Sequence, residues 1–245
     1  MAMIAKLSLR ASKLLKILSH GDYRAAFRRG RSAAAIEHER ILRTLDIATV
    51  VDVGANRGQF ALVSRHCFPT ARIISFEPLA QPARQFEAAL RGDANVTLHC
   101  VAIGPEPGAA MMHVAAEDDS SSLLPIGAAQ HEISGTTEVR TETIQIETLS
   151  SRISVDQLKP PALLKIDVQG YELSTLRGCE PLLDRFSYIY VECSFVELYR
   201  GQALAAEVID YLHQRGFKLC GVYNTAFDRK GIAVQADMLF STQEL

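Results

Sequence analysis

Long apolar runs are missing from this 245-residue chain. No stretch approaches the roughly 20 uninterrupted apolar residues that a membrane span needs, which argues against an integral membrane protein. Cysteine is sparse and unpatterned: Cys67, Cys100, Cys179, Cys193 and Cys220 are odd in number and form no C-x-x-C or Cys/His spacing. Neither a disulfide scaffold nor a structural zinc site is therefore expected, and a reducing cytosol fits best. There is no internal repeat and no low-complexity tract. A basic surplus is also lacking, since the net charge is -2 overall. Residues 1–40 carry nine Lys/Arg against three Asp/Glu, or +6, which leaves -8 for residues 41–245. A domain of that sign is a poor partner for polyphosphate, so no nucleic acid is expected there. Small molecules or neutral polymers remain. What the chain does have is 48% apolar and 22% charged residues, enough for one generous folded domain or one with a small appendage.

The basic surplus sits in a segment that reads as helical, from Met1 to about Leu45. Ile4, Leu7, Ala11, Leu14, Leu15 and Leu18 share an arc of about 100°, with Lys6, Arg10, Lys13 and Lys16 opposite, while Leu9 and Ile17 fall off the stripe. His20-Gly21-Asp22 is expected to break this helix, and a second runs from Asp22 or Ser32 to Leu45. Basic residues interrupt the apolar run and no small-residue cleavage site follows, so it is not a secretory signal. Two readings stand. Residues 1–45 form an accessory extension packed on the domain, or residues 1–18 lie as an interfacial helix on an anionic membrane, peripheral at the inner face.

From residue 46 onward the pattern is that of one α/β domain. Thr49–Val53, Arg72–Phe76 and Val96–Val101 read as strands, separated by helices over Gln59–Cys67 and Ala80–Leu90. Strand, helix, strand at this spacing implies right-handed βαβ units in a parallel sheet. Two extended segments, Gly108–Val114 and Glu138–Ile146, flank a polar loop over Glu117–Gly135. Helices over Leu149–Leu158, Glu172–Leu183 and Leu204–Gln214 then alternate with strands Ala162–Ile166 and Tyr188–Glu192. Phe217–Tyr223 and Ala236–Phe240 form a closing antiparallel pair.

The first chemical signal is Val50-Val51-Asp52-Val53-Gly54-Ala55-Asn56-Arg57-Gly58, where a strand ends in a glycine-containing turn and a helix starts. Gly54 can adopt backbone angles closed to other residues, and Gly58 is expected to let the helix start approach a ligand. Glu77, at the end of the next strand and 19 residues past Gly58, is placed to accept hydrogen bonds from ribose hydroxyls. The dinucleotide spacing G-x-G-x-x-G is not met, because Asn56 and Gln59 occupy its later positions, and there is no G-x-x-x-x-G-K-[ST] loop. A ligand with ribose but no phosphate fits, and S-adenosyl-L-methionine is the obvious one. Asp52 and Asn56 would face its charged amino acid end, or Asp52 would only order the turn.

The second signal is Lys165-Ile166-Asp167-Val168-Gln169-Gly170-Tyr171-Glu172. A buried strand delivers Asp167 at its carboxyl end, where ligands of doubly wound sheets bind. A carboxylate there can attract a sulfonium, anchor an acceptor hydroxyl or take up its proton. Glu172 reads either as functional or as a first-turn acid favoured by the helix dipole. Glu192 ends the next strand and faces the same crevice as a second contact for the acceptor. Lys165 is expected to pair with a neighbouring acid. His99 and His113 read as structural, and Asp118 and Asp119 could bind a metal with Asp167, though nothing in the spacing requires it.

Together with Phe76-Glu77-Pro78 and Ser120-Ser121-Ser122-Leu123, these motifs resemble the FkbM family of methyltransferases over about Thr49 to Phe240. The resemblance implies a class I, Rossmann-like α/β fold: a seven-stranded, mostly parallel sheet with an antiparallel last strand. It also implies S-adenosylmethionine-dependent O-methylation of sugar or natural-product hydroxyls. It places Asp52, Gly54, Asn56 and Gly58 around the methionine part, Glu77 on the ribose, and Asp167, Gly170 and Glu172 in the family's second block. Where the family usually has Glu, this chain has Gln169, which is left out of the catalytic set. Ile146-Glu147-Thr148-Leu149 also departs from the usual Thr-Leu-Asp order. Length and basic N-terminal helices are similar to rhizobial enzymes that 2-O-methylate a fucosyl group on lipo-chitooligosaccharides. The expected partner is thus a glycan or glycolipid acceptor, with Ser121 and Ser122 as its hydrogen-bond partners. Two alternatives are an NAD(P)-dependent oxidoreductase and a non-catalytic nucleoside-binding adapter that works through its N-terminal helices.

Overall fold

The computed structural model describes residue 15 and residues 17–116 and 118–243. Most of the N-terminal apolar stripe, from Ile4 to Leu14, lies outside the described residues. Of its remaining members, Leu15 and Leu18 are exposed, whereas Ile17, off the stripe, is packed into the core.

Short apolar runs rich in Val, Ile and Leu build the centre. β1 (Thr49–Val53) and β7 (Ala162–Ile166) are buried along their whole length, as expected of parallel strands covered on both faces. Around them stand β2 (Arg72–Phe76), β3 (Val96–His99), β8 (Tyr188–Ser194), β9 (Lys218–Phe227) and β10 (Ala233–Ser241). These seven strands make one sheet in the order β3-β2-β1-β7-β8-β10-β9. All neighbours pair in parallel except β10, which runs antiparallel to both β8 and β9. This is the sheet that the resemblance implies. The chain winds outward from β1 to β3 and then restarts at β7 on the other side of β1, so the carboxyl ends of β1 and β7 flank the switch point.

Two apolar layers hold the sheet. On one face, Val51, Val53, Leu164, Ile166 and Val191 pack under α7 (Glu172–Cys179) and α8 (Ala205–His213). On the other, Val50, Ile73, Leu163 and Leu239 meet Phe60 and Val63 of α3 (Gln59–Cys67) and Phe86 of α4 (Ala80–Ala89). Tyr23 and Ala26 of α1 (Gly21–Gly30) and Ile41 and Leu42 of α2 (Glu39–Leu42) belong to the same layer. Each fully buried aliphatic or aromatic side chain contributes roughly 1.5–3 kcal/mol of burial free energy, so the N-terminal segment is an integral part of this wall.

Several boundaries differ from those the sequence pattern predicts. The strand expected over Val96–Val101 ends at His99, and the chain crosses to a second sheet as β4 (Ala102–Ile103). That sheet also contains β5 (Gly108–Ala115) and β6 (Glu138–Glu147), in the order β4-β6-β5. The loop over Glu117–Gly135 is not wholly irregular, because it holds α5 (Ala128–Ser134), which ends on left-handed Gly135. The helix expected over Leu149–Leu158 stops after one turn, α6 (Leu149–Arg152), where Ile153 turns extended and buries its side chain. Pro181, which lacks an N–H, converts the end of the Glu172–Leu183 helix into a 3-10 turn over Glu180–Arg185. Helix is interrupted at His20, inside the expected break, and resumes at Gly21, whereas Ser32–Leu45 is helical only from Ile36 onward.

Candidate functional site

A cavity of about 230 Å³ opens at the carboxyl ends of β1, β2 and β7. Its floor is the turn after β1. Gly54 holds φ +80, and a Cβ there would lie 1.8 Å from the Asp167 carbonyl oxygen, so any side chain would push β1 and β7 apart. The Gly54 and Ala55 N–H groups both donate to the Phe76 carbonyl at 3.0 Å, which ties this turn to β2. Asn56 follows with φ +46 and lines the cavity, its Oδ1 buried without a hydrogen-bond partner. Gly58 plays a different part from the one expected. At φ +84 it starts α3, and its missing Cβ makes room for Phe86 and Leu90; it does not line the cavity.

Glu77 reaches the cavity from β2 and is 6% exposed. Its Oε2 accepts the Asn56 N–H at 2.9 Å and its Oε1 accepts the Leu79 N–H at 2.8 Å. It thereby joins the turns after β1 and β2. A carboxylate offers about four lone-pair positions, so capacity remains for donors of a ligand. Val101, Ala102, Ile103, Met112 and Leu123 supply an apolar wall beside it.

Asp52 lies beneath the site. It is fully buried, is not among the lining residues, and pairs with Lys165 Nζ at 3.1 Å. Lys165 Nζ also donates to the Gly54 carbonyl at 3.1 Å and stands 3.8 Å from Asp167. Burial alone would depress the Lys165 ammonium, but Asp52 and Asp167 more than offset it, so its pKa is raised and the charge is held. Lys165 pairs with acids as expected, and Asp52 orders the turn through it.

Asp167 leaves the end of β7 with its side chain 36% exposed and faces the cavity. Gln169, outside the catalytic set expected from the sequence, is the centre of the polar network. Held at φ +55, it donates through Nε2 to Asp167 Oδ1 at 2.7 Å and to Glu192 Oε2 at 3.0 Å. Its Oε1 accepts the Tyr199 hydroxyl at 2.8 Å. Glu192 is joined to Asp167 only through Gln169 and, against expectation, is not among the residues that line the cavity. Its pKa is raised well above the usual carboxylate range by burial and by the charges of Asp167 and Asp237. Glu172 is 4% exposed and turned inward, where Oε1 accepts the N–H groups of Val168 and Gly170 at 3.2 and 2.9 Å. Burial pushes it up to about 7 against those two hydrogen bonds. It shapes the loop carrying Asp167 and does not line the cavity.

The two serines divide. Ser121 lines the cavity, and its Oγ accepts the Ala115 N–H at 3.1 Å. Ser122 is fully buried and donates to the Gln169 carbonyl at 2.6 Å, so it anchors the network from behind. His38 is a lining residue that no local pattern announces. Its partners Tyr190, Asn224 and Asp237 all lie more than 150 residues away.

The donors and acceptors of the cavity match S-adenosylmethionine. The cavity presents the Glu77 carboxylate, the unpartnered Asn56 Oδ1 and the Asp167 carboxylate, while its Lys165 cation is paired with acids. Acceptors of this kind suit ribose hydroxyls, an ammonium and a sulfonium, and offer nothing to a phosphate. The residues fit the group.

The family model described as the methyltransferase FkbM domain matches residues 52–219. The chain is 27% identical to Methyltransferase 1 of Beauveria bassiana (strain ARSEF 2860) over 191 residues, 70% of this chain and 73% of that protein. It is 27% identical to 2-O-methyltransferase NoeI of Sinorhizobium fredii (strain NBRC 101917 / NGR234) over 184 residues, 71% and 76% of the two chains. Among solved structures, precorrin-6y C5,15-methyltransferase from Geobacter metallireducens GS-15 aligns with a TM-score of 0.45 at 12% identity, covering 87% of this chain and 93% of its own.

Proposed function

The chain belongs to the FkbM methyltransferase family, and on that premise we propose that it methylates a hydroxyl of a sugar, glycolipid or natural-product glycoside. Family membership sets the oxidoreductase alternative aside. S-adenosylmethionine, the family's cofactor, supplies when bound a methyl group on a positively charged sulfur. Glu77 accepts the ribose hydroxyls, Asn56 Oδ1 takes a donor from the amino acid end, and Asp167 offsets the positive charge. Val101, Ile103 and Met112 exclude water from the flat adenine ring.

The observation that carries the hydroxyl acceptor is the bridge from Asp167 through Gln169 to Glu192. An alcohol is a weak nucleophile until a positioned acceptor relieves it of its proton, an effect of typically ~10²–10⁴-fold. The bridge holds two carboxylates in fixed positions beside the cavity, where Asp167 anchors and orients the reacting hydroxyl. NoeI, named as a 2-O-methyltransferase, supports transfer to oxygen. Ser121 and the polar segment after it supply contacts to a neutral glycan. Residues 1–45 remain the extension and 46–245 the methyltransferase domain in this reading. Exposed Leu15 and Leu18 support a peripheral contact with the membrane that carries a lipid-linked acceptor.

The test is transfer of tritium from labelled S-adenosylmethionine to a panel of glycans and glycolipids, with mass spectrometry of the product. Label in an O-methyl group of a sugar is the expected result. A non-catalytic adapter would bind S-adenosylhomocysteine and label nothing, and label on nitrogen or carbon would overturn the hydroxyl assignment.

A further inference from the structure

One polar cluster beside the cavity draws three of its four members from outside the segment matched by the family, Tyr190 being the fourth. His38 precedes that segment, and Asn224 and Asp237 follow it. β8 and β10 pair Asp237 with Glu192, which places Asp237 one strand beyond the Asp167–Glu192 bridge. The register of β9 against β10 slips between Gln235 and Asp237, and Asn224, at φ +48, stands in that irregularity. Bulges of this kind often re-aim a side chain next to an active site. Here the bulge brings Asn224 Nδ2 to 2.8 Å from Asp237 Oδ2.

The His38 ring closes the cluster. It stands edge-on to Phe60 and Tyr190, with centroids 5.4 and 5.6 Å away, so its plane is fixed from two sides. Nδ1 faces the cluster: Tyr190 Oη lies at 3.1 Å, Asn224 Nδ2 at 3.1 Å and Asp237 Oδ2 at 3.4 Å. The Tyr190 hydroxyl donates to Asp237 at 3.2 Å, and Asn224 Nδ2 donates to Asp237 at 2.8 Å and to Tyr190 Oη at 3.4 Å, so a proton on Nδ1 finds its acceptor in the remaining lone pair of Tyr190 Oη. With the proton on Nδ1, Nε2 is the bare nitrogen. The side chain's polar contacts among the described residues are made through Nδ1, and the residue lines the same cavity as Asp167.

We propose that His38 is a catalytic residue of this methyltransferase, taking the acceptor's hydroxyl proton on Nε2 while Asp237 and Tyr190 orient the ring. The proposal rests on the hydroxyl-methylation reading above. In the step, the hydroxyl O–H bond breaks and its proton bonds to Nε2. The electron pair left on oxygen forms the bond to the methyl carbon as the carbon–sulfur bond breaks with its pair on sulfur. A base oriented through its second nitrogen by a buried carboxylate follows the logic of positioned imidazoles elsewhere in enzymes. The N-terminal segment then does more than cover the sheet, because it contributes a reacting group.

Nitrogen-15 NMR of the full chain without cofactor tests the tautomer. The expected neutral ring carries its proton on Nδ1; a ring protonated on Nε2 overturns the proposal. The charged groups around the ring, Asp237 at 3.4 Å with Asp52 and Lys165 beyond, are present in that sample as in the enzyme. Kinetics supply the second arm, with the glycan that wild type labels fastest. His38→Gln is expected to lower kcat at least 100-fold while S-adenosylhomocysteine affinity, by calorimetry, and the melting temperature stay near wild type. Asp237→Asn, which keeps the shape, is expected to lower kcat about tenfold. Unchanged turnover in His38→Gln refutes the proposal while leaving the hydroxyl reading intact. Absence of any labelled glycan with wild type refutes the hydroxyl reading, and the NMR result still decides the tautomer.

Discussion

Lys165→Met isolates the feature on which the cavity floor depends. The substitution keeps chain length and removes the ammonium that stands 3.1 Å from Asp52, a residue with no exposed surface. Breaking a buried ion pair from one side costs about 3–5 kcal/mol, because the remaining charge is left without compensation. Set against a total stability of about 5–15 kcal/mol, that is a large fraction. For a chain of this size, each kcal/mol lowers the melting temperature by about 2–4 °C, so a drop of about 6–20 °C is expected. The Gly54 carbonyl also loses its donor, so the turn relaxes and affinity for S-adenosylhomocysteine falls. Urea unfolding measures the first effect and isothermal calorimetry the second. The double variant Asp52→Leu/Lys165→Met removes both charges and should regain most of the lost stability. A single variant that loses less than about 1 kcal/mol, or a double variant as unstable as the single, would refute the view that this pair holds the turn.

Three other substitutions separate binding, chemistry and scaffold. Glu77→Ala removes the acceptor of two backbone N–H groups and the proposed ribose contact; S-adenosylhomocysteine affinity should fall by about 10- to 150-fold, equivalent to ~1.5–3 kcal/mol, and unchanged affinity in calorimetry would take Glu77 off the ribose. Asp167→Asn should lower kcat more than cofactor affinity, whereas equal losses would assign the residue to binding alone. Glu172 is raised to about 7 when folded against an ordinary value of 4.5, so the folded state binds more protons and this residue's contribution to stability is greatest below pH 4.5 and is lost as the pH rises through 7. Glu172→Gln keeps an oxygen for the Val168 and Gly170 N–H groups; chemical unfolding should show a flatter stability profile between pH 4.5 and 7 and a gain of about 3 kcal/mol at most above it, and an unaltered slope would show that Glu172 does not titrate there.

Elements with a purely local signal are legible in the amino-acid sequence alone. β1, α3, β2 and β7 carry the bounds expected of them, because a β-branched run closed by glycine, or a helix closed by Pro69, leaves little choice. The glutamate at the end of β2 is legible for the same reason, since it follows the strand by position. Direction is not legible. Asp52, Gly58, Glu172 and Ser122 all sit in the right motifs, yet each turns away from the cavity to hold a turn, a helix contact or a loop. Spacing along the chain says where a backbone goes and only weakly which way a side chain beyond a strand end points. Gln169 escapes a search for bases because an amide is none, though its value lies in donating two hydrogens to two carboxylates at once. His38 has no neighbour in sequence to mark it; the partners of its ring come from β8, β9 and β10.

The charge distribution ties these parts to one requirement. Asp167, Glu192 and Asp237 stand close enough along the strand ends that burial and mutual repulsion raise Glu192 and Asp237 together. Such a row cannot carry three full negative charges in a partly desolvated crevice without a neighbouring cation or a shared proton. Lys165 supplies one positive charge from below, fixed by Asp52. A bound sulfonium would supply a second, so the row would be better satisfied with the methyl donor present than with its neutral product. The proton released by the acceptor restores the balance if it stays in the crevice, on the imidazole or on the row itself. On the proposed reading, a variant that neutralises the row should narrow the difference in affinity between the charged donor and its neutral product.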